Sequence, residues 1–159
     1  MIVRKQPASR PATPADSALA YEIKKAALGP YIIQVFGWDE ARQLEFHAEE
    51  FHPGNTHILL DHGQPIGWFA THREDNAFFI DHLYLLPGVH GQGIGTQLLQ
   101  MLLQTADEAG LVARLDVLKV NPARRLYERC GFLIIGATDH FYHMERQPQQ
   151  RIVEAVALA

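Results

Sequence analysis

Residues 88–99 read GVHGQGIGTQLL, a glycine cluster that leads directly into apolar residues at helical spacing. The apolar spacing continues to Ala106 and Ala109, and Gly110 ends the predicted helix. A glycine-rich loop that opens a helix presents backbone N–H groups at the positive end of the helix dipole. The stretch therefore predicts a site for an anionic ligand, and the alternative is that its glycines only shape a turn.

Two known phosphate-binding patterns match this stretch poorly. The triphosphate loop G-x-x-x-x-G-K-[ST] is excluded because neither its spacing nor its lysine is present. The dinucleotide fingerprint G-x-G-x-x-G is imitated by Gly91, Gly93 and the later acidic residue Asp116. Thr96 replaces its third glycine, and Asp116 precedes further strand residues instead of ending a strand. A nicotinamide-dependent oxidoreductase stays as an alternative function.

The composition favours one domain without a nucleic-acid or membrane partner. The chain has 159 residues, 47% of them hydrophobic, which predicts a single domain over 1–147 and a C-terminal tail over 148–159. A formal net charge of −4 with scattered basic residues argues against binding to nucleic acid. No signal peptide or membrane span is evident, so we expect a cytoplasmic protein.

Metal and thiol chemistry are not expected. Cys130 is the single cysteine, which excludes an internal disulfide and a thiolate cluster. No two of the nine histidines have the i, i+4 spacing of an H-E-x-x-H site. His140 and His143 are close in sequence, but in a strand they would point to opposite faces. We therefore predict that no metal is bound.

Two helices are predicted in the first third of the chain. The first begins at the cap Thr13 and ends at Gly29-Pro30, because proline disfavours a helix interior. A short turn of helix follows, with a break at Gly37. The second helix extends from about Asp39 to Phe51.

The rest of the chain alternates strands and helices. Residues 56–74 predict a hairpin around the turn DHGQP, and a third strand ends at Pro87. After the helix that follows the glycine cluster come the strand LVARLDVLKV and a short helix that Asn121 caps and Gly131 ends. A pair of strands over 132–146 completes the pattern.

The glycine cluster resembles a motif of the GNAT N-acetyltransferase superfamily. The family's pattern [RQ]-x-x-G-x-[GA] stands at the start of the helix after the fourth strand. Here His90–Gly95 read HGQGIG, with histidine in place of the arginine or glutamine. In the family, the amides of this loop wrap the pyrophosphate of acetyl-CoA, so the resemblance implies acetyl-CoA as co-substrate.

A second block, VLKVNPARRLYERCGF, resembles the family's next signature at Asn121, Ala123, Tyr127, Gly131 and Phe132. The similarity in element order extends over about residues 8–146, and the opening RPATPAD resembles the family's first strand and helix. KKAALGPYIIQVFGWDE resembles a largely uncharacterised bacterial subgroup. The resemblance implies a mixed α/β fold: a mostly antiparallel sheet of six or seven strands, with strands four and five splayed, and about four flanking helices.

The implied activity is transfer of acetyl from acetyl-CoA to a primary amine of a small molecule or peptide, by direct attack on the thioester. An alternative from another class is a CoA-binding sensor that has lost catalysis. A homodimer is also implied, although no exposed apolar stripe in the sequence requires one. The residues that the resemblance assigns to acetyl-CoA binding are Leu83, Tyr84, Leu85, His90, Gly91, Gln92, Gly93, Ile94, Gly95, Thr96, Asn121, Ala123 and Tyr127.

Catalytic roles are assigned by the same resemblance. The amide of Leu85 on the splayed strand is the expected oxyanion donor, and Tyr127 is the expected general acid to the CoA thiolate. Packing alone would also explain Tyr127. Asp81 and His82 are the candidate bases for the amine, with Asp81 placed slightly ahead, and they are expected to alternate across the sheet.

The acceptor pocket is predicted between the early helices and the late strands. Aromatic side chains would form one wall, although at helical spacing such residues are more often part of the core; they are Tyr31, Phe36, Trp38, Phe46 and Phe51. Acidic side chains that could attract a cationic amine, or lie solvated on helix faces, are Glu22, Asp39, Glu49 and Glu50.

Overall fold

A computed structural model describes residues 7–150 of the chain. Within this range seven strands form one sheet: β1 (Ala8–Pro11), β2 (Thr56–Asp61), β3 (Gln64–Glu74), β4 (Ala77–Leu85), β5 (Val112–Leu118), β6 (Leu133–Ala137) and β7 (Phe141–Arg146). The α-helices are α1 (Ser17–Phe36), α2 (Glu40–Glu50), α3 (Ile94–Glu108) and α4 (Ala123–Arg129). Short 3-10 turns span Pro14–Asp16, Pro53–Asn55 and Pro87–Val89.

The sheet divides between its fourth and fifth strands. Its order is β1-β2-β3-β4-β5-β7-β6, and every neighbouring pair is antiparallel except β4 and β5. These two strands are paired only where Ala77–Phe79 lies beside Val112–Arg114. Farther along, the backbone of β4 borders a gap. The predicted mixed α/β fold, with a mostly antiparallel sheet, splayed strands and four helices, is confirmed.

Helices cover the sheet on both faces and create two hydrophobic cores. The larger core contains the apolar side of α3, where Leu98 and Leu99 are fully buried against residues of β4 and β5 such as Phe78. The smaller core joins α1 to the first strands around Trp68, whose indole N–H donates to the Ala20 carbonyl at 2.8 Å. Each such large side chain contributes roughly 1.5–3 kcal/mol by burial.

The predicted end of the first helix at Gly29-Pro30 is wrong. The helix α1 continues through Pro30 to Phe36. Proline removes one helical hydrogen bond, but tertiary packing holds this segment, because Ile32 is buried and the Trp38 ring covers Gly29. The helix ends at Gly37, which has φ +73° and donates its N–H to the Ile33 carbonyl. The predicted break at Gly37 is confirmed.

Most local predictions agree with the structure. The side chain of Asp39 accepts from the Arg42 N–H at 3.1 Å and so caps α2. The hairpin between β2 and β3 turns through His62 and Gly63, both with positive φ, as in a tight type I′ turn. The helix α3 stops before Gly110, which has φ +65°.

The expectation that no apolar stripe is exposed is wrong. The edge strand β6 exposes Leu133, Ile134 and Ile135, with 72%, 43% and 57% of their surfaces accessible. A homodimer stays a prediction, as do the domain limits. From residue 151 onward, the predicted tail lies outside the described residues.

Among residues 7–150, no helix has the length and apolar character needed to cross a membrane. In the same part of the chain, histidine, cysteine and acidic side chains do not gather into a group of three that could hold a metal ion.

Candidate active site

Two cavities meet at the gap between β4 and β5. One, of about 430 Å³, extends along the glycine cluster to α4 and is called the loop groove. The other, of about 770 Å³, lies beneath α1 and α2 and is called the large cavity. Both cavities are lined by Leu28, Leu83, Tyr84, Asn121 and Tyr127. The two cavities therefore adjoin at these residues.

The glycine cluster leaves backbone amides free of helical hydrogen bonds at the start of α3. Gly91 and Gly93 have φ values of +81° and +77°, which side chains other than glycine rarely adopt. The N–H of Gln97 donates to the Gly93 carbonyl at 3.1 Å, so the amides of residues 94–96 precede the first helical hydrogen bond. These amides stand at the positive end of the dipole of a 15-residue helix.

Close packing keeps this end of α3 beside the gap. A Cβ atom on Gly95 would lie 3.3 Å from a Leu126 methyl group and 3.4 Å from one of Leu85. Glycine thus allows α3 to approach both α4 and β4. All residues predicted to bind acetyl-CoA line the loop groove, with the exception of Gln92.

The histidine that departs from the family motif contacts the end of β4. The Nε2 atom of His90 lies 3.2 Å from the Leu85 carbonyl oxygen, so a protonated Nε2 donates to it. In this position His90 ties the glycine cluster to the strand that borders the gap.

The backbone of β4 presents a donor to the gap. The N–H of Leu86 donates to the Ile66 carbonyl of β3 at 2.8 Å. Successive amides of an extended chain point to opposite edges, so the N–H of Leu85 points away from β3 and towards the gap. This is the amide that the sequence analysis assigned as the oxyanion donor.

Tyr127 lies at the junction of the two cavities. Its residue surface is 7% exposed, its ring packs 5.9 Å from the ring of Phe132, and burial raises the pKa of its phenol to about 12. The side-chain oxygen of Asn121 accepts from the Ala123 N–H at 2.9 Å, which caps α4 and positions this helix. The Tyr127 phenol is therefore protonated at neutral pH.

The expectation that Asp81 and His82 alternate across the sheet is wrong. Ala70 pairs with His82 and Thr71 with Ile80, so Asp81 is an extra residue in a bulge of β4. As a result, Asp81 and His82 both line the large cavity.

The two candidate bases have different partners. The carboxylate of Asp81 lies 2.6 Å from Nδ1 of His72, and this hydrogen bond raises the pKa of His72. The Nδ1 atom of His82 lies 3.0 Å from the Tyr84 hydroxyl. Burial, and then the charge of Lys24, lowers the pKa of His82 below 6.5. His82 is consequently neutral at pH 7.

The predicted aromatic wall is only partly present. Phe36 and Phe46 line the large cavity, whereas Tyr31 lines the loop groove. Trp38 packs near Gly29 and lines neither cavity, and Phe51 is buried in the smaller core beside Trp68. Sequence periodicity did not separate these positions, because core and pocket residues share the same apolar spacing.

The predicted acidic lining is also partly present. Asp39 and Glu50 line the large cavity, but Glu22 and Glu49 do not. Other residues that line the large cavity were not predicted from the sequence, namely Lys24, Arg42, Asp116 and Phe141. Arg42 could have been found, since it lies at helical spacing on the same side of α2 as Phe46 and the predicted Glu50.

Comparisons with known proteins agree with this geometry. Residues 20–132 match the model of a family described as the acetyltransferase (GNAT) family. A sequence search of curated proteins found no match.

Solved structures share the fold at low sequence identity. The PaiA N-acetyltransferase from Thermoplasma acidophilum, in complex with coenzyme A, has a TM-score of 0.74 and 16% identity, covering 90% of this chain and 99% of that one. A GCN5-related N-acetyltransferase from Rhodopseudomonas palustris has a TM-score of 0.68 and 22% identity, covering 92% of this chain and 99% of that one. The ribosomal-protein-S18-alanine N-acetyltransferase from Escherichia coli has a TM-score of 0.67 and 20% identity, covering 91% of this chain and 96% of that one.

These structures show the fold, and the family model, which spans most of the chain, shows the family. The chain belongs to the acetyltransferase (GNAT) family, is an N-acetyltransferase, and takes its acetyl group from acetyl-CoA.

Proposed function

We propose that this enzyme transfers the acetyl group to a primary amine held in the large cavity. The observation that carries the proposal is the junction of the two cavities at Leu83, Tyr84, Asn121 and Tyr127. With acetyl-CoA along the loop groove, its thioester would lie at this junction, within reach of an amine from the other side. Direct attack then needs no intermediate bound covalently to the protein.

The residues of the loop groove suit acetyl-CoA. Its pyrophosphate would accept hydrogen bonds from the backbone amides of residues 94–96, where the helix dipole favours negative charge. The pantetheine arm would follow the unpaired edge of β4, and the side chain of Asn121 lies beside it. The amide of Leu85 would donate to the thioester carbonyl as its oxygen gains charge.

The chemical step requires two proton transfers. The amine nitrogen forms a bond to the carbonyl carbon and gives its proton to a base, for which we propose His82. The C–S bond then breaks, and the Tyr127 hydroxyl protonates the leaving sulfur. His82 is favoured over Asp81 because its ring is neutral at pH 7. When its Nδ1–H donates to the Tyr84 hydroxyl, Nε2 keeps the lone pair that accepts the proton, whereas the Asp81 carboxylate is bonded to His72.

Release of CoA thiol from acetyl-CoA in the presence of a panel of primary amines tests this function. We expect release with at least one amine, and a rise in Tm with acetyl-CoA but none with NAD, because a ligand that binds the native state stabilises it. A rise in Tm with acetyl-CoA without thiol release from any amine would favour the sensor alternative. Stabilisation by NAD alone would favour the oxidoreductase.

Gly93→Ala is expected to weaken acetyl-CoA binding. The φ of +77° at this position costs an alanine about 1–2 kcal/mol, so the loop relaxes and displaces the amides of residues 94–96. Since 1.4 kcal/mol corresponds to a factor of ten, we expect the Kd measured by calorimetry to rise about tenfold.

Gly88→Ala is the matched control, because Gly88 belongs to the same cluster, has ordinary φ and has open space around its Cβ position. Its Kd should stay within about twofold of the wild-type value. Equal Kd values for Gly93→Ala and the wild-type protein would refute the role of the loop amides.

A further inference from the structure

The large cavity is lined by four carboxylates, and each already accepts a hydrogen bond from the protein. Each of these carboxylates therefore has a hydrogen-bond partner within the fold, and the charge of Glu50 is also offset by that of Lys24. The pairs are Asp39 with the Arg42 backbone N–H (3.1 Å), Glu50 with Lys24 (2.9 Å), Asp81 with His72 (2.6 Å) and Asp116 with His143 (2.6 Å).

Arg42 differs from the other charged residues of the cavity. Within residues 7–150 its guanidinium forms no ion pair with a carboxylate, and the other cavity cation, Lys24, is bonded to Glu50. The guanidinium carbon lies 5.1 Å from the centre of the Phe46 ring. This contact between cation and aromatic face restrains the side chain beside the cavity while leaving its donors available.

We propose that the acceptor is a primary amine that also carries a carboxylate, and that Arg42 binds this carboxylate. The inference rests on the proposed function and names its substrate class. A planar guanidinium can donate two parallel hydrogen bonds to a carboxylate, a geometry that a neutral or cationic acceptor cannot use. The rings of Phe36, Phe46 and Phe141 would contact the apolar body of such an acceptor.

The location of the two functional ends supports this class. His82 lies on β4 at the gap, whereas Arg42 lies in the first turn of α2, which covers the cavity. An acceptor whose amine approaches His82 would then present its other end to the helix. A second amine at that end would meet Arg42, a like charge, and among residues 7–150 each carboxylate that lines the cavity already accepts a hydrogen bond from the protein.

Pairs of acceptors that differ in the carboxylate test the proposal. In the first pair, L-phenylalanine is compared with L-phenylalaninamide. Three further pairs compare an amino acid with the amine that lacks its carboxylate: β-alanine with ethylamine, γ-aminobutyrate with propylamine, and ε-aminocaproate with pentylamine. Cadaverine is added as a diamine. We expect kcat/KM to be at least about tenfold higher for the acid in at least one pair, a value typical of a partly solvated charged hydrogen bond. The α-amino group of L-phenylalaninamide has a lower pKa than that of L-phenylalanine, so a larger fraction of it is the neutral, reactive amine at neutral pH. A higher kcat/KM for L-phenylalanine therefore indicates that the enzyme recognises the carboxylate.

Arg42→Gln should reduce the preference for the acid about tenfold, mainly through a higher KM for the acid. Glutamine is polar but lacks the positive charge and the two parallel donors of the guanidinium. The control Arg73→Gln changes an exposed arginine of β3 that lines neither cavity and should keep the wild-type preference.

The outcomes separate this inference from the function on which it rests. Acetylation of amines without any advantage for acids, a preference for cadaverine, or an unchanged preference in Arg42→Gln would overturn the carboxylate proposal alone. Thiol release with none of these amines would overturn both proposals.

Discussion

Tyr127→Phe is expected to lower kcat by about 100-fold or more, the contribution typical of a positioned general acid. The buried phenol, with its pKa of about 12, stays protonated at neutral pH. The same buried environment raises the proton affinity of the departing CoA thiolate. Without the Tyr127 hydroxyl, the negative sulfur would have no proton donor from this residue. Steady-state thiol release gives kcat, and calorimetry gives the Kd for acetyl-CoA, which should change less than about twofold.

Phenylalanine keeps the ring that packs against Phe132, so the fold should tolerate this substitution. Tyr142→Phe is a matched control, since it removes the same hydroxyl from a β7 residue that lines neither cavity. Its kcat should equal that of the wild-type enzyme. A kcat for Tyr127→Phe that also equals the wild-type value would reduce Tyr127 to a packing residue.

His82→Gln is expected to lower kcat by about 100-fold and to remove a titration from its pH profile. The pKa of His82 lies below 6.5, because burial and the charge of Lys24 disfavour the imidazolium form. The wild-type kcat should therefore be constant at neutral pH and fall as the pH drops through this lowered pKa. In the variant, the plateau falls and this acidic inflection disappears.

Asp81→Asn serves as the comparison for His82→Gln, because both residues line the large cavity. If His82 is the base, the Asp81 variant keeps the acidic inflection. Loss of the inflection in Asp81→Asn together with its retention in His82→Gln would transfer the role to Asp81. Measuring kcat at saturating amine, instead of kcat/KM, keeps the protonation of the free amine out of the profile.

Sequence periodicity predicted the elements around the site because their signals are local. The positive φ of Gly93, the cap from Asn121 to Ala123 and the turn at Gly63 each depend on a few neighbouring residues. The first helix was predicted too short for the opposite reason. Local proline chemistry was outweighed by contacts of Gly29 and Ile32 that form only in the folded chain.

The lining of the large cavity could not be assigned from the sequence to the same extent. Phe36 and Phe46 face the cavity while Phe51 faces the core, although all three are aromatic residues near or in helices. The bulge at Asp81 turns it to the same side as His82, which strict alternation along a strand excludes.

By itself, the sequence determined the glycine loop at the start of α3, the order of helices and strands and the positions of the family motifs, since backbone conformation and capping are encoded within a few residues. Only the tertiary structure decided that two cavities meet at Tyr127, that Asp81 and His82 share one of them, and that Arg42 reaches it with no carboxylate partner in the described part of the chain, residues 7–150. These features join residues far apart in the chain, and the packing of α1 and α2 over a divided sheet brings them together.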